Sequence, residues 1–302
     1  MPFYGIGPHT STSNLTNYSE TDYTAGANVV NPLASWLAIG GAVEYLKPDV
    51  HGIRSTSIRS IDNFYNEATA PGLSHQPGFI HYVVNLQPRY NLTRTKFNSL
   101  LAFHNYHDPG GRYSFHKVRA DLLQTIYPET QREPTGGVPG QFRKQPKFDS
   151  VLYIAARFSA SQANHRNVVP FYLQETIGGS DIDGISSLRG FQDYRFRAPD
   201  LFVIQTQYER RLLPSPKPGS PRPSTFRSVA GALGIMAFYD TGEVANRFRD
   251  LSFSEMRHSF GFGLTFWSGE RVWFRAYIGL GSGEGRHNFV GISNPGVQAP
   301  HL

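Results

Sequence analysis

The sequence contains no cysteine, which excludes a disulfide framework, a thiolate metal site and a cysteine nucleophile. No stretch approaches 18 consecutive apolar residues, so a transmembrane helix is excluded as well. Charged residues make up only 17% of the chain, and its net charge of +6 is scattered rather than gathered into basic runs. Without such runs or a nucleic-acid-binding motif, we expect no nucleic-acid partner.

Recognisable catalytic patterns are also missing. The chain has 11 histidines, but no His-x-x-Glu-His or Gly-x-Ser-x-Gly pattern accompanies them. We therefore predict that the protein is not an enzyme and holds neither a cofactor nor a metal. Residues 1–7 lack the basic and apolar regions of an export signal, so we expect none in this sequence.

Aromatic residues are abundant at 14%, and 30 glycines and 21 prolines provide frequent turns. The strongest pattern is period-two alternation, which is typical of strands. Between positions 201 and 212, Phe202 and Ile204 share an apolar face, while Gln205, Gln207 and Glu209 share a polar one. Eleven strands are predicted, at 20–33, 35–47, 78–91, 98–107, 112–127, 148–163, 201–213, 226–240, 256–268, 271–282 and 285–293.

Most of these strands have one apolar, aromatic face and one face of charged, amide or glycine residues. Enclosed polar faces favour a barrel lumen, because a membrane barrel exposes only alternate residues to lipid. A mean hydropathy of −0.37 is compatible with such a barrel and equally with a soluble β-sandwich. We expect one antiparallel transmembrane β-barrel domain over 1–302, with a long inserted loop at 164–200.

Three motifs in the C-terminal half give the barrel a family resemblance. They are Gly178-Gly179-Ser180-Asp181, Leu188-Arg189-Gly190-Phe191 and Phe238-Tyr239-Asp240-Thr241-Gly242, and the glycine-alternating strand 259–264 follows them. In this order and spacing they resemble the bacterial surface-antigen barrels of the BamA/TamA superfamily. The resemblance is firm from about 170 to 292 and fainter toward the N-terminus.

The resemblance implies that the loop arginine enters the barrel and pairs with acids on the two strands that follow the loop. Carried over, Arg189 would pair with Asp240 and Glu209. Glu209 lies on a clearly polar face, whereas Asp240 shares its face with Met236 and Phe238. The predicted loop-holding set is completed by three neighbours of these residues, Gly190, Phe191 and Gly242.

The chain departs from the family pattern in several ways. Family barrels have sixteen strands, so about five are expected to be missing, most simply on the N-terminal side. Periplasmic polypeptide-binding repeats are absent, residues 182–186 look like an insertion before the Leu-Arg-Gly-Phe motif, and residues 293–302 extend past the last strand. Closure of the barrel between its first and last strands is therefore an open question at this point.

The resemblance implies a bacterial outer-membrane protein that inserts or translocates proteins or lipids without a cofactor. Expected partners are outer-membrane lipid and lipopolysaccharide, with a client protein or another subunit of an envelope complex. One alternative is a passive pore or structural subunit. A second is a barrel-borne lipid hydrolase, for which Ser114 near His104 would be the candidate pair.

Overall fold

A computed structural model describes residues 1–55, 57–128, 149–164, 166–181, 186–213, 230–268, 271–281 and 283–291. These residues form an all-β fold. The strands are β1 Pro2–Phe3, β2 Thr16–Ala34, β3 Leu37–Gly52, β4 Phe79–Asn91, β5 Thr95–His107, β6 Phe115–Ile126, β7 Ser150–Ala163, β8 Glu175–Ile177, β9 Phe196–Ala198, β10 Asp200–Arg211, β11 Leu233–Ala245, β12 Arg257–Ser268, β13 Arg271–Gly281 and β14 Gly285–Gly291. Four single-turn 3-10 helices lie at Thr12–Asn14, Ile61–Asn63, Phe171–Leu173 and Phe248–Asp250.

Twelve of these strands form one antiparallel sheet in which spatial order follows chain order, β1 to β7 and then β10 to β14. The remaining two, β8 and β9, form a separate hairpin between β7 and β10. The prediction of an all-β antiparallel fold with eleven main strands is confirmed. The end of β11 was predicted at Asp240, whereas the strand continues to Ala245 because it pairs with β10 as far as Asp200.

The outer face of the sheet is apolar. Large hydrophobic side chains stand exposed at alternate positions of successive strands; they include Tyr82, Val84 and Leu86 on β4, Leu101 and Phe103 on β5, Val118 and Leu122 on β6, Ile235 and Tyr239 on β11, and Phe260, Phe262 and Leu264 on β12. Such a band is what a lipid-facing wall requires. No helix in the described part of the chain is long and apolar enough to span a membrane.

A charge introduced into this band is expected to impair membrane assembly. Phe262 is 62% exposed on β12, so Phe262→Lys should cost about 2–4 kcal/mol if the residue faces the bilayer centre. The matched control is Phe253→Lys, in the connection between β11 and β12, where the ring is 79% exposed. Folding yield in lipid vesicles measures both variants; equal yields would contradict the assignment of the outer face.

The inner face carries the buried polar side chains and is covered by the segment between β7 and β10. That segment contacts β2 through Arg197, which donates to the Tyr18 hydroxyl at 2.8 Å. It also packs on β13, where Gly190 lies against the backbone of Leu280 and Gly281.

These two contacts show that the sheet is curved. From β2 to β13 there are nine steps in the sheet order, which would span about 43 Å if the sheet were flat. The backbone from Gly190 to Arg197 can extend to only about 25 Å. The sheet therefore wraps around the segment, which we call the inserted loop (residues 164–199).

The main apolar core lies at the end of the wrapped sheet where the inserted loop begins. It joins the N-terminal segment and the first strands to the start of the inserted loop, through Phe3, Tyr18, Val50, Ile61, Phe79, Tyr106, Phe115, Phe171 and Tyr172 among others. Because this core draws on distant parts of the chain, it fixes the entry of the inserted loop relative to β2–β6.

Candidate functional site

The Leu-Arg-Gly-Phe motif forms a tight turn inside the wrapped sheet. The Phe191 amide donates to the Leu188 carbonyl at 3.0 Å, and both side chains are buried. They belong to an apolar cluster with strands β8, β9, β10 and β11, formed by Ile177, Leu188, Phe191, Phe196, Ala198, Leu201, Val203 and Val244. The apolar members of the motif thus anchor the turn, and Arg189 lies between them.

Arg189 is bound to Asp240 in the interior, and the side chains of both residues are 0% exposed. Its Nε donates to Asp240 Oδ2 at 2.9 Å and its Nη2 to Oδ1 at 2.5 Å, so the guanidinium meets the carboxylate with two parallel bonds. The Arg189 backbone N–H adds a third bond to Oδ2 at 3.1 Å. The guanidinium carbon also lies 3.7 Å from the centre of the Phe238 ring, which adds a cation–π contact.

The expected pairing of Arg189 with Glu209 is not what the structure shows. Arg275 on β13 binds Glu209 instead, with Nε donating to Oε1 at 2.7 Å. Gln207 links the two pairs: its amide donates to Glu209 Oε1 at 2.7 Å, and its carbonyl oxygen accepts from Arg189 Nη1. Glu209 on β10 and Asp240 on β11 are therefore bound by different arginines, and the Gln207 side chain links the two ion pairs.

Glycines on β12 leave room for side chains of the two neighbouring strands to meet inside the barrel. Gly261 and Gly263 face the interior, and a Cβ on them would lie 2.4 Å from Phe238 and 2.7 Å from Tyr277, respectively. Side chains of β11 and β13 therefore meet across β12; the Phe238 and Tyr277 ring centres are 5.2 Å apart. Arg275, on the same face of β13 as Tyr277, extends past β12 and β11 to Glu209 on β10.

Gly190 allows the turn to approach the wall closely. A Cβ at this position would lie 2.4 Å from both the Gly281 nitrogen and the Leu280 carbonyl carbon. On β13, a Cβ at Gly279 would lie 2.6 Å from the Arg189 carbonyl oxygen. Backbone thus packs on backbone here, which requires glycine on both sides.

Gly242 has a role in packing rather than a contact with Arg189. It lies inside β11 opposite Val203, and a Cβ there would be 2.7 Å from the Val203 side chain. The residue therefore makes room for the apolar cluster that contains Phe191.

Further ion pairs fix the loop to β6 and β7, and the sequence analysis did not identify them. Lys117 on β6 lies 2.8 Å from Glu175 of β8, and both side chains are largely buried. Burial alone would raise the pKa of Glu175, but the Lys117 ammonium and then the Arg119 guanidinium outweigh it and hold that pKa below its usual range. Glu175 therefore remains ionised at neutral pH.

Arg157 on β7 makes a second link to the loop. Its Nε donates to Asp121 of β6 at 3.0 Å and its Nη1 to Asp181 of the loop at 2.8 Å. Strand alternation placed Lys117, Arg157 and Asp121 on polar faces, so the sequence contained a signal for their interior location. The sequence contained no signal that would identify their partners on the inserted loop.

Two more loop arginines bind the N-terminal segment. Arg195 donates to the Thr10 hydroxyl at 2.8 Å and to both carboxylate oxygens of Glu284, at 2.6 Å and 2.5 Å, in the turn between β13 and β14. Arg197 accepts at its carbonyl from the Gly7 amide at 2.7 Å. One guanidinium, that of Arg195, therefore joins the chain just before β2 to the turn just before β14.

The residues proposed for a lipid hydrolase do not come together. Ser114 Oγ is bonded to the Asp108 backbone, while His104 faces the interior and pairs with His81 at 3.1 Å. Over the described residues, His, Asp and Glu side chains form no cluster of three that could hold a metal ion.

Comparison with known proteins identifies this fold. No protein-family model matches the chain, and no curated protein matches it in sequence. Among solved structures, it is similar to BamA from Haemophilus ducreyi lacking POTRA domains 1–3, with a TM-score of 0.51 and 11% identity over 92% of this chain. It is also similar to CdiB from Acinetobacter baumannii, with a TM-score of 0.50 and 13% identity over 97% of this chain.

The fold is therefore that of a bacterial outer-membrane β-barrel, which agrees with the location predicted from the sequence. Within this class it is the fold of BamA and CdiB, as the BamA/TamA resemblance led us to expect. The chain spans 52% and 43% of the lengths of those two proteins.

Proposed function

We propose that this barrel inserts or translocates polypeptide at the outer membrane by exchanging hydrogen bonds along a strand edge. The observation that carries the proposal is the outer edge of β2. This strand pairs with β3 from Tyr18 to Ala34, whereas within the described sheet its other edge pairs only with β1, at Thr16 and Asn17. All residues from Thr21 to Leu33 are exposed.

A long exposed edge offers backbone N–H and C=O groups to an incoming strand. Such an exchange replaces one set of backbone hydrogen bonds by another, so it needs neither a cofactor nor a catalytic side chain. The resemblance to BamA/TamA barrels, which implies insertion at a strand seam, supports this use of the edge.

Because the inserted loop lies inside the barrel, we favour the β2 edge over the lumen as the route for the polypeptide. The inserted loop covers the inner face at β6, β7, β10, β11 and β13 through the contacts described above. A passive pore requires an open path along this face. We therefore rank a pore or a purely structural subunit second.

Arg195 joins the two edges of the sheet at one end, and we call the gap between the first and last strands the seam. Its contacts with Thr10 and Glu284 hold the start of β2 near the turn that precedes β14. Separating the first and last strands at this end requires these bonds to break, so a covalent link between the same two positions should prevent that separation.

The test is a cross-link between Thr10→Cys and Glu284→Cys. The parent has no cysteine, so a bismaleimide joins only the introduced pair. We expect the unlinked protein in liposomes to accelerate folding of a urea-unfolded eight-stranded outer-membrane barrel, and the linked protein to lose that acceleration.

The matched control is Ser252→Cys with Ser254→Cys, whose hydroxyl oxygens lie 2.8 Å apart within one connection. Linking this pair should leave the acceleration unchanged. If the protein with the Thr10–Glu284 link still accelerated folding of the client barrel, the proposal that the polypeptide uses the seam would be contradicted. Stable channel conductance with no acceleration by any form would instead establish a passive pore.

A further inference from the structure

A cleft opens in the outer wall of the sheet where β7 extends beyond β10. The register of β7 with β10 ends at Ser159 opposite Leu201, whereas β7 continues beside β6 to Ala163. The last four residues of β7 therefore have no β10 partner in the described sheet. The cleft beside them has a volume of about 1060 Å³, which matches the larger ligand-binding clefts of proteins.

Small side chains of β7 and larger apolar side chains of neighbouring elements line the cleft. Ala160 and Ala163 come from β7, and Ala160 pairs with Val118 of β6, which pairs in turn with Phe103 of β5. Val118 and Phe103 also line the cleft and belong to the exposed apolar band of the outer face. Phe248, from the connection between β11 and β12, adds a ring that is 60% exposed. The cleft is therefore continuous with the surface that lipid chains cover.

The position of the cleft along the strands determines which leaflet reaches it. Its lining includes Val168 of the inserted loop and Asn246 of the connection between β11 and β12. Both belong to long connections, whereas the tight turns at 35–36 and 92–94 lie at the opposite end of the strands. Long connections of outer-membrane barrels lie on the external side. The external leaflet there consists of lipopolysaccharide, whose lipid A part carries both acyl chains and phosphate groups.

Two exposed arginines supply positive charge at the cleft. Arg247 lines it, and Arg166 lies in the turn that follows β7, between two residues of the lining. Neither guanidinium forms an ion pair with an acid of the described residues, so both are available to a phosphate, which arginine binds through parallel hydrogen bonds. The acid of the lining, Asp200, is 2% exposed and accepts from the Ser161 amide at 2.6 Å. It therefore presents little negative surface to an anion.

We infer that this cleft binds the lipid A part of one lipopolysaccharide molecule. An acyl chain lies against Phe103, Val118 and Phe248, and the phosphate groups contact Arg166 and Arg247. The lipopolysaccharide expected as a partner of this barrel thereby has one defined site on the wall. This inference does not depend on the proposed insertion activity.

Native mass spectrometry of the detergent-purified protein tests the inference, with bis-phosphorylated lipid A, phosphatidylglycerol and phosphatidylethanolamine added in equal amounts. We expect one retained lipid A per chain, and about tenfold less retention of either phospholipid, which has a single phosphate. Arg166→Ala combined with Arg247→Ala should lower lipid A retention by at least the same factor. Val168→Trp, which fills the cleft, should abolish it, and Phe248→Ala, which removes apolar lining without filling the cleft, should lower it.

Arg54→Ala is the matched control, because Arg54 is exposed in the connection between β3 and β4 at the same end of the strands and does not line the cleft. It should retain lipid A as the parent does. Gel mobility of unheated samples shows that each variant is folded. Equal retention of the three lipids, unchanged lipid A retention in the arginine double variant, or unchanged retention in folded Val168→Trp and Phe248→Ala would each overturn the inference.

Discussion

Replacing Arg189 with alanine is expected to lower the free energy of unfolding by about 3–5 kcal/mol, because it leaves the Asp240 carboxylate buried without its cation. Asp240 is 0% exposed and loses both side-chain bonds from the guanidinium. Phe238 loses the charge above its ring as well. Urea unfolding in lipid vesicles, followed by gel mobility or tryptophan fluorescence, measures the change.

Arg189→Lys should recover only a small part of this loss. The three N–H donors of a lysine ammonium diverge from one nitrogen, so it cannot make two parallel bonds to Asp240 and also reach Gln207. The control is Arg249→Ala, because Arg249 is exposed and its nearest acid oxygen is 3.7 Å away. If Arg189→Ala unfolds like this control, Arg189 does not hold the loop.

The second large effect is expected from Arg275→Met. The substitution removes the cation from Glu209, whose side chain is 0% exposed, and should also cost about 3–5 kcal/mol. Adding Glu209→Gln to Arg275→Met should restore more than half of that loss, because the stranded charge is then absent. The same urea measurement applies to the single and double variants.

A double-mutant cycle separates the observed pairing from the one expected by resemblance. Coupling between Arg275 and Glu209 should be larger than coupling between Arg189 and Glu209, since only Gln207 connects the latter two. A larger coupling for the Arg189 pair would show that the expected pairing was right and that the interior network is wrongly assigned.

Strand positions and faces were predictable because alternation is a local property of the sequence. Phe262 is exposed and Glu209 buried, and Ile204 is half-buried between the buried Val203 and Gln205, as the alternating pattern required. Asp240 was ambiguous because its face also carries Met236 and Phe238. The structure removes the ambiguity: Met236, Phe238 and Tyr277 form an apolar patch on the inner face, so the lumen is not uniformly polar.

The partner of Glu209 could not be predicted because it depends on a strand that is not adjacent. Arg275 lies on β13 and reaches Glu209 on β10 past the two intervening strands, β11 and β12. The alternation of glycines on β12 was visible in the sequence. The sequence did not show which side chains of other strands would extend across β12. The contacts of Arg195 with Thr10 and Glu284 were hidden for a similar reason, since they join the two ends of the sheet.

The predicted strand starting at 226 shows a limit of another kind. β11 begins at Leu233, and residues 214–229 lie outside the described residues. The same holds for most of the expected insertion at 182–186 and for 292–302. Those expectations, together with the single-domain assignment over 1–302, stay predictions.

The central claim is that Asp240 holds the Leu-Arg-Gly-Phe turn inside the barrel, and cysteine accessibility tests it most directly. Leu188 is 0% exposed beside Arg189, and the parent contains no cysteine. Leu188→Cys in lipid vesicles should react with a water-soluble maleimide far more slowly than Phe253→Cys. Adding Asp240→Asn should raise the reaction rate of Leu188→Cys. Rapid labelling of Leu188→Cys without that change would contradict the claim, because the turn would then lie outside the wall.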